Sequence, residues 1–184
     1  MEIIKDGKGR GYNAGVNGTN RLLVESIEVP HLHHTAHIHG QAYSIVLQQT
    51  PTAGAPFLYI KNISPTLDLC LEHMLVRTPS DEIITLVTRV DGTAAGTAYV
   101  PVNHLIGSGN LADATVVVGN TITGLSGGNL IHRFFIPASH HSAEHTFEDS
   151  IILTKGRALA FYAVNGSIQV DVSLIFEMHA QEDH

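Results

Sequence analysis

Residues 168–178 read IQVDVSLIFEM, and this stretch decides the fold class. Apolar residues occupy every second position from Ile168 to Met178, with polar residues between most of them. A period of two is that of a β-strand, because successive side chains point to opposite faces of a sheet. We therefore predict one long strand whose even-numbered residues, Leu174 and Phe176 among them, face the core.

The stretch just before it, Arg157 to Val164, is also rich in apolar and aromatic residues. Asn165-Gly166 joins the two stretches, and this dipeptide readily supplies the positive φ angles of a two-residue turn. The pattern therefore predicts a β-hairpin built from residues 157–164 and 168–178.

Further strand-like stretches precede this pair, separated by turn signals such as Asp91-Gly92 and Lys155-Gly156. They cover residues 21–29, 42–49, 57–63, 66–76, 82–90, 97–102, 130–137 and 146–153. Residues 107–128 are rich in glycine, and we expect a long excursion between strands there, with at most one short helical turn over 108–114. About ten short strands at this spacing predict an all-β protein, either a sandwich or a barrel.

The first twenty residues differ in composition from the rest of the chain. Five glycines lie among Lys5, Lys8 and Arg10, and the segment has too little apolar area to order itself. We predict that residues 1–20 form an extended arm that contacts a neighbouring chain. Residues 21–184 are expected to form a single domain, because their number suits one hydrophobic core.

Charge and composition narrow the classes of function. Ten Lys and Arg against seventeen Asp and Glu give a formal net charge of -7, and the basic residues form no run, which argues against a nucleic-acid partner. The sequence shows neither a secretion signal nor a membrane-spanning apolar stretch, so we expect a soluble chain made in the cytoplasm. Only 15% of the residues are charged, which suits a protein that is packed in an assembly.

Thirteen histidines are the most unusual feature of the composition. Eight of them form two groups, which are His31, His33, His34, His37 and His39, and then His140, His141 and His145. Alternate residues of a strand share a face, so imidazole pairs with Glu144 or Glu148 could bind a metal, loosely as in a cupin barrel. The cupin pattern of a Glu after the first His pair is missing, however. We favour surface or subunit-interface histidines without a ligand, and keep a pH-responsive interface as a third hypothesis.

No other constellation in the sequence favours catalysis. There is no phosphate-binding glycine motif and no nucleophile elbow. We interpret Cys70 as a small packed residue, and the acidic pairs Asp81-Glu82 and Glu148-Asp149 as solvated ends of loops. The sequence therefore predicts no enzyme activity and no cofactor.

Several motifs, taken in their order, resemble a family of tailed-bacteriophage virion proteins. The opening KDGKGRGY at 5–12, followed by NRL at 20–22, resembles the arm and first strand of that family. QAYSI at 41–45 and FLYIKN at 57–62 are similar to its next two strands, and PVN at 101–103 with GSGN at 107–110 to its central loop. Residues 153–156 and 168–177 are similar to its closing strands, so the resemblance spans most of the chain.

The resemblance implies a capsid decoration or cement protein on the surface of the virion, with an antiparallel jelly-roll-like β-sandwich that is often trimeric. Its expected partners are the major capsid protein or other virion subunits, and further copies of itself. A tail or baseplate protein and a cupin-like metal-dependent β-barrel enzyme are the alternatives. We expect assembly contacts through the arm and the histidine groups, at Lys5, Asp6, Lys8, Arg10, Tyr12, Arg21, His33, His37, His140 and His145.

Overall fold

The computed structural model describes residues 40–138 and 142–180. Over these residues the chain forms β-strands and no helix, which confirms the predicted all-β class. The strands are β1 (Ala42–Gln49), β2 (Pro56–Asn62), β3 (Leu67–Arg77), β4 (Glu82–Thr88), β5 (Asp91–Tyr99), β6 (Val102–Asn103), β7 (Ala114–Ser126), β8 (Asn129–Ile136), β9 (Ala143–Leu153), β10 (Ala158–Ala163) and β11 (Val170–Ala180). Within the described ranges there is accordingly no helix that could cross a membrane.

The strands build two antiparallel sheets that pack face to face around one main core. The smaller sheet has the order β6-β1-β11-β3-β9, and the larger sheet has the order β5-β7-β2-β10-β4-β8. The pairing is nested, since β1 pairs with β11, β2 with β10, β3 with β9, β4 with β8 and β5 with β7. Such nesting is that of a jelly roll, in which a ribbon of paired strands is wound into a sandwich. The predicted jelly-roll-like sandwich is confirmed.

The strand β11 lies in the middle of the smaller sheet and supplies much of the core. Val170, Val172, Leu174, Phe176 and Met178 are all buried on its inward face. Burying each of these side chains stabilises the fold by about 1.5–3 kcal/mol. The predicted inward face of this strand is therefore confirmed.

The predicted hairpin over residues 157–164 and 168–178 is wrong. The strands β10 and β11 belong to different sheets, so the chain crosses from one sheet to the other between them. Gly166 does have a positive φ of 63°, and a Cβ there would collide with the backbone of Ala53. The next residue, Ser167, donates its N–H to the carbonyl of Pro51 at 2.7 Å. Asn165-Gly166 thus forms a turn. This turn packs against the segment before β2 and takes the chain from one sheet to the other, so it does not join two paired strands.

The predicted excursion over residues 107–128 is also wrong, because most of it is the long strand β7. The first part of β7 pairs with β2, and its far part pairs with β5 alone among the described strands. In the far part, Ile122 packs with Tyr59 and Ala160 in a second apolar cluster on the outer face of the larger sheet. Glycine allows β5 and β7 to lie close together here, since a Cβ on Gly92 or Gly124 would collide with the backbone of the opposite strand. Here β5 begins at Asp91, whereas the sequence predicted a strand over 97–102.

Within residues 40–138 and 142–180, the sandwich has two open sides, where edge strands of the two sheets come together. The strands β8 and β9 form one of them, which we call the β8/β9 side, and β5 and β6 form the other, the β5/β6 side. On the β5/β6 side, the Tyr99 hydroxyl accepts the N–H of Val46 at 3.1 Å and donates to its carbonyl at 3.0 Å. This contact ties the end of β5 to β1 of the smaller sheet.

Candidate functional site

Four aromatic rings close the β8/β9 side. His132 and Phe134 lie two residues apart on β8, and His145 and Phe147 lie two apart on β9, so each pair shares a strand face. The Phe134 ring centroid lies 3.9 Å from that of His145 and 6.1 Å from that of Phe147. The centroids of His132 and Phe147 lie 6.4 Å apart. Because β8 and β9 belong to different sheets, this ring cluster joins the two sheets along their open side.

The imidazole of His145 is held between the two sheets. Its Nε2 is buried and has no hydrogen-bond partner among the residues that the structure describes. Burial lowers the pKa of His145, and the nearby His132 and His73 lower it further. The neutral imidazole is therefore the form that fits this place, where it packs as an aromatic ring against Phe134.

A third histidine, His73 on β3, lies close to the ring cluster. Its Nε2 lies 2.8 Å from Oε1 of Glu144 on β9, and the Glu144 side chain is 68% exposed. An exposed pair of this kind contributes at most about 1 kcal/mol to stability. Opposite the consecutive β11 residues Ile175 and Phe176, β3 has one extra residue between Leu71 and His73, so a bulge in β3 precedes this histidine. Bulges of this kind bend a strand and redirect its side chains.

A cavity of about 420 Å³ lies beside the ring cluster. Its walls are Thr88, Ile131, His132, Thr146, Phe147, Ser150, Ile151, Ile152 and Leu153. The space is half open to solvent, and three hydroxyl groups and one imidazole lie on its walls. Within residues 40–138 and 142–180, no three His, Cys, Asp or Glu side chains are grouped as a metal site would require.

The carboxylate of Glu82 is a buried polar group that the sequence interpretation missed. We expected Asp81 and Glu82 both to be solvated, but Asp81 is exposed whereas Glu82 is fully buried. Its two oxygens accept backbone N–H groups of Ile83, Asn165 and Gly166 at 2.7–2.9 Å. The sequence pattern that could have revealed its burial is the spacing of two residues between Glu82 and Ile84, which places both on the inward face of β4. Glu82 holds the crossover turn and has a structural role.

Most of the predicted site residues lie outside the described residues. These are Lys5, Asp6, Lys8, Arg10, Tyr12, Arg21, His33, His37 and His140. Of the predicted contacts the structure describes His145, and it brings that residue together with His73 and His132, which lay outside the two predicted histidine groups. Cys70 is buried on β3, in agreement with its interpretation as a packed residue.

Comparison with known proteins adds no relative to this description. The chain matches no protein-family model and no curated protein. The likeness of its motifs to tailed-phage virion proteins therefore stays a prediction, and so do the partners, the location and the trimer that this likeness implies.

Proposed function

We propose that the protein is a structural component of a tailed-phage virion, a capsid decoration or cement protein that binds the major capsid protein. The order of the motifs from Lys5 to Glu177 supports this class. The jelly-roll-like sandwich fits the same class, because it is the fold that the resemblance implies and is common among capsid domains. The arm over residues 1–20 is expected to link the protein to a neighbouring subunit.

The placement of exposed apolar residues carries the proposal. Among the described residues, twelve large hydrophobic side chains are exposed; five of them lie on the edge strands β6, β8 and β9, and three more lie in the loops on either side of β6. Ile106, Leu111 and Val100 are 93%, 72% and 69% exposed. Exposed apolar groups that are concentrated in this way are typical of contact sites between proteins. A protein that is held between other subunits of a shell would bury such sides.

The test is the presence and copy number of the protein in virions. Particles of the phage or prophage that encodes the chain are purified on a density gradient, and their proteins are quantified by mass spectrometry. A copy number that scales with that of the major capsid protein supports capsid decoration. A few copies per particle would instead favour the tail or baseplate, and absence from the particles would refute a virion function.

A second measurement tests the partner. Purified protein is added to capsids that lack it, and the mixture is sedimented. Saturable co-sedimentation supports binding to the major capsid protein, which should weaken when residues 1–20 are deleted. If the protein stays in the supernatant at micromolar concentration while the capsids sediment, the proposed partner is wrong.

A further inference from the structure

The strands β8 and β9 are joined to each other through side chains. They belong to different sheets, so no ladder of backbone hydrogen bonds connects them. Within residues 40–138 and 142–180, each is the last strand of its sheet and pairs with one neighbour, β8 with β4 and β9 with β3. Edge elements with few backbone partners are among the first parts of a fold to open locally. The ring cluster is therefore a main contact that keeps this side closed.

The pairing of both strands is interrupted beside this cluster. Thr146 of β9 pairs with His73 of β3, and the next paired residue of β9 is Ile151. The residues between them, 147–150, lie opposite a single residue of β3. On β8, Ile131 is likewise an extra residue opposite β4. Irregular pairing of this kind disrupts the ladder locally, so both strands are held less tightly by their own sheets here.

The imidazole of His145 faces the interior of the sandwich. His145 pairs with Met74, which is fully buried, and the two residues of a cross-strand pair share a face. The buried Nε2 of this imidazole has no hydrogen-bond partner among the described residues. Glu144 comes directly before it and so lies on the other face of β9, where its carboxylate is 2.8 Å from Nε2 of His73. That carboxylate is placed for the imidazole of His73 and not for that of His145.

The surroundings of His145 oppose its protonation. The titratable groups that act on it are His132 of β8 and His73 of β3, which together with burial lower its pKa. Arg133 alternates with His132 and Phe134 along β8, and so lies on the opposite face of that strand. Protonation would leave a buried N–H group without an acceptor, beside two imidazoles that repel a further positive charge. A solvated imidazolium is free of both costs, so acid favours a state in which His145 contacts water.

We propose that the ring cluster is a pH-sensitive switch, in which protonation of His145 separates β9 from β8 and exposes the rings of Phe134 and Phe147. The half-open cavity lined by Phe147 gives water a path to the cluster before any strand has moved. The core around β11 stays closed, because β11 is paired on both sides, with β1 and β3. The switch is a property of the fold, and it goes beyond the proposed function without resting on it.

Hydrogen exchange followed by mass spectrometry tests this switch on the full-length chain. Peptides from β8 and β9 are compared with peptides from β11 between about pH 8 and about pH 5, with labelling times adjusted to the pH dependence of the intrinsic exchange rate. His145→Phe removes the titrating group and keeps an aromatic ring. His104→Phe is the matched control, because His104 lies in the loop after β6. If His145→Phe fails to fold, His145→Leu replaces it.

The expected result is a loss of protection in acid that is confined to β8 and β9. Because opening is coupled to the uptake of one proton, its equilibrium constant should rise by up to about tenfold per pH unit below about pH 6.5. Protection of β8 and β9 should fall by that factor in the unchanged protein and in His104→Phe, while protection of β11 stays constant. His145→Phe should show no such fall. His132→Phe keeps His145 and removes one repelling imidazole, so its total loss of protection should be smaller than that of the unchanged protein.

Other outcomes overturn the inference. An equal loss of protection in β11 would mean that acid acts on the whole fold rather than on this side. A fall that persists in His145→Phe would assign the response to other histidines of the chain, and protection that acid leaves unchanged would refute the switch altogether. Slower exchange of β8 and β9 in acid would mean that protonated His145 finds an acceptor in the closed state, for which Glu72 of β3 is the candidate. The virion measurements bear on none of these outcomes, so the switch and the proposed function are judged separately.

Discussion

Replacing Glu82 by alanine is expected to destabilise the fold by about 3 kcal/mol. This carboxylate begins β4 and is fully buried. Its Oε1 accepts the N–H of Ile83 at 2.7 Å and that of Asn165 at 2.8 Å, and its Oε2 accepts the N–H of Gly166 at 2.9 Å. Glu82 thus connects the start of β4 with the crossover between β10 and β11.

The magnitude follows from what the truncation leaves behind. Gly166 is buried, so its N–H loses its partner where water has little access, which costs about 1–3 kcal/mol. The other two hydrogen bonds are partly buried, and water can replace the carboxylate there in part, which leaves about 0.5–1 kcal/mol for each. The sum lies between about 2 and 5 kcal/mol. Glu82→Gln should lower the free energy of unfolding by less than Glu82→Ala does, because glutamine keeps one acceptor oxygen. Its amide NH2 group then faces only one of the three backbone N–H groups without being able to accept from it.

Urea unfolding followed by circular dichroism measures the change, since the chain has no tryptophan for fluorescence. The control is Asp81→Ala, the exposed neighbour whose Oδ1 accepts the N–H of Ala138 at 2.7 Å. This control should cost no more than about 1 kcal/mol. If Glu82→Ala costs as little as Asp81→Ala, the carboxylate does not hold the crossover and the reasoning is wrong.

Three further predictions concern the core, the ring cluster and the arm. Leu174→Asp should cost at least about 3 kcal/mol in urea unfolding, because it strands a charge in the core, whereas Ser173→Asp on the outer face should cost less than about 1 kcal/mol; similar costs would contradict the assigned face. The folded state lowers the pKa of His145, so the unfolded chain binds a proton at a higher pH than the folded chain does. The stability that the neutral His145 contributes is therefore present above about pH 6.5 and is lost as pH falls below that value. Unfolding of His145→Phe should therefore depend less on pH between about 8 and about 5, and an unchanged slope would refute this. Deleting residues 1–20 should leave the urea midpoint unchanged and weaken capsid binding; a truncated chain that cannot fold would show that these residues belong to the core.

Strand positions and faces were predictable from the sequence where the pattern is local. The bounds of β1 agree with the predicted strand over 42–49, and β3, β4, β8 and β9 each lie within a few residues of a predicted stretch. The inward face of β11 was predictable for the same reason, since alternation of apolar and polar residues needs no knowledge of the partner strand.

The partners of the strands were not predictable in this way. Asn165-Gly166 has the composition of a hairpin turn, and the local rule joined the strands on its two sides. In the structure, β10 pairs with β2 and β4, and β11 pairs with β1 and β3. The backbone groups of any strand can pair with those of another, so the choice depends on which faces must be buried together.

In the candidate site, too, single residues were predictable from the sequence whereas their neighbours in space were not. His145 was among the predicted contacts, but its neighbours His73 and His132 come from strands far apart in the chain. Glycine was read as a sign of a loop at 107–128, whereas Gly92 and Gly124 make room for two strands that lie close together. Each error arose at a residue whose role is set by a group distant in sequence.

By itself, the sequence determined that this protein is all-β, where most of its strands lie and which side of β11 is buried, because these properties depend on residues within a few positions of one another. Only the tertiary structure decided the nested pairing, the burial of Glu82, the ring cluster and the two open sides. These depend on contacts between distant segments, for which the energy of burying apolar faces together outweighs the local preference of a turn.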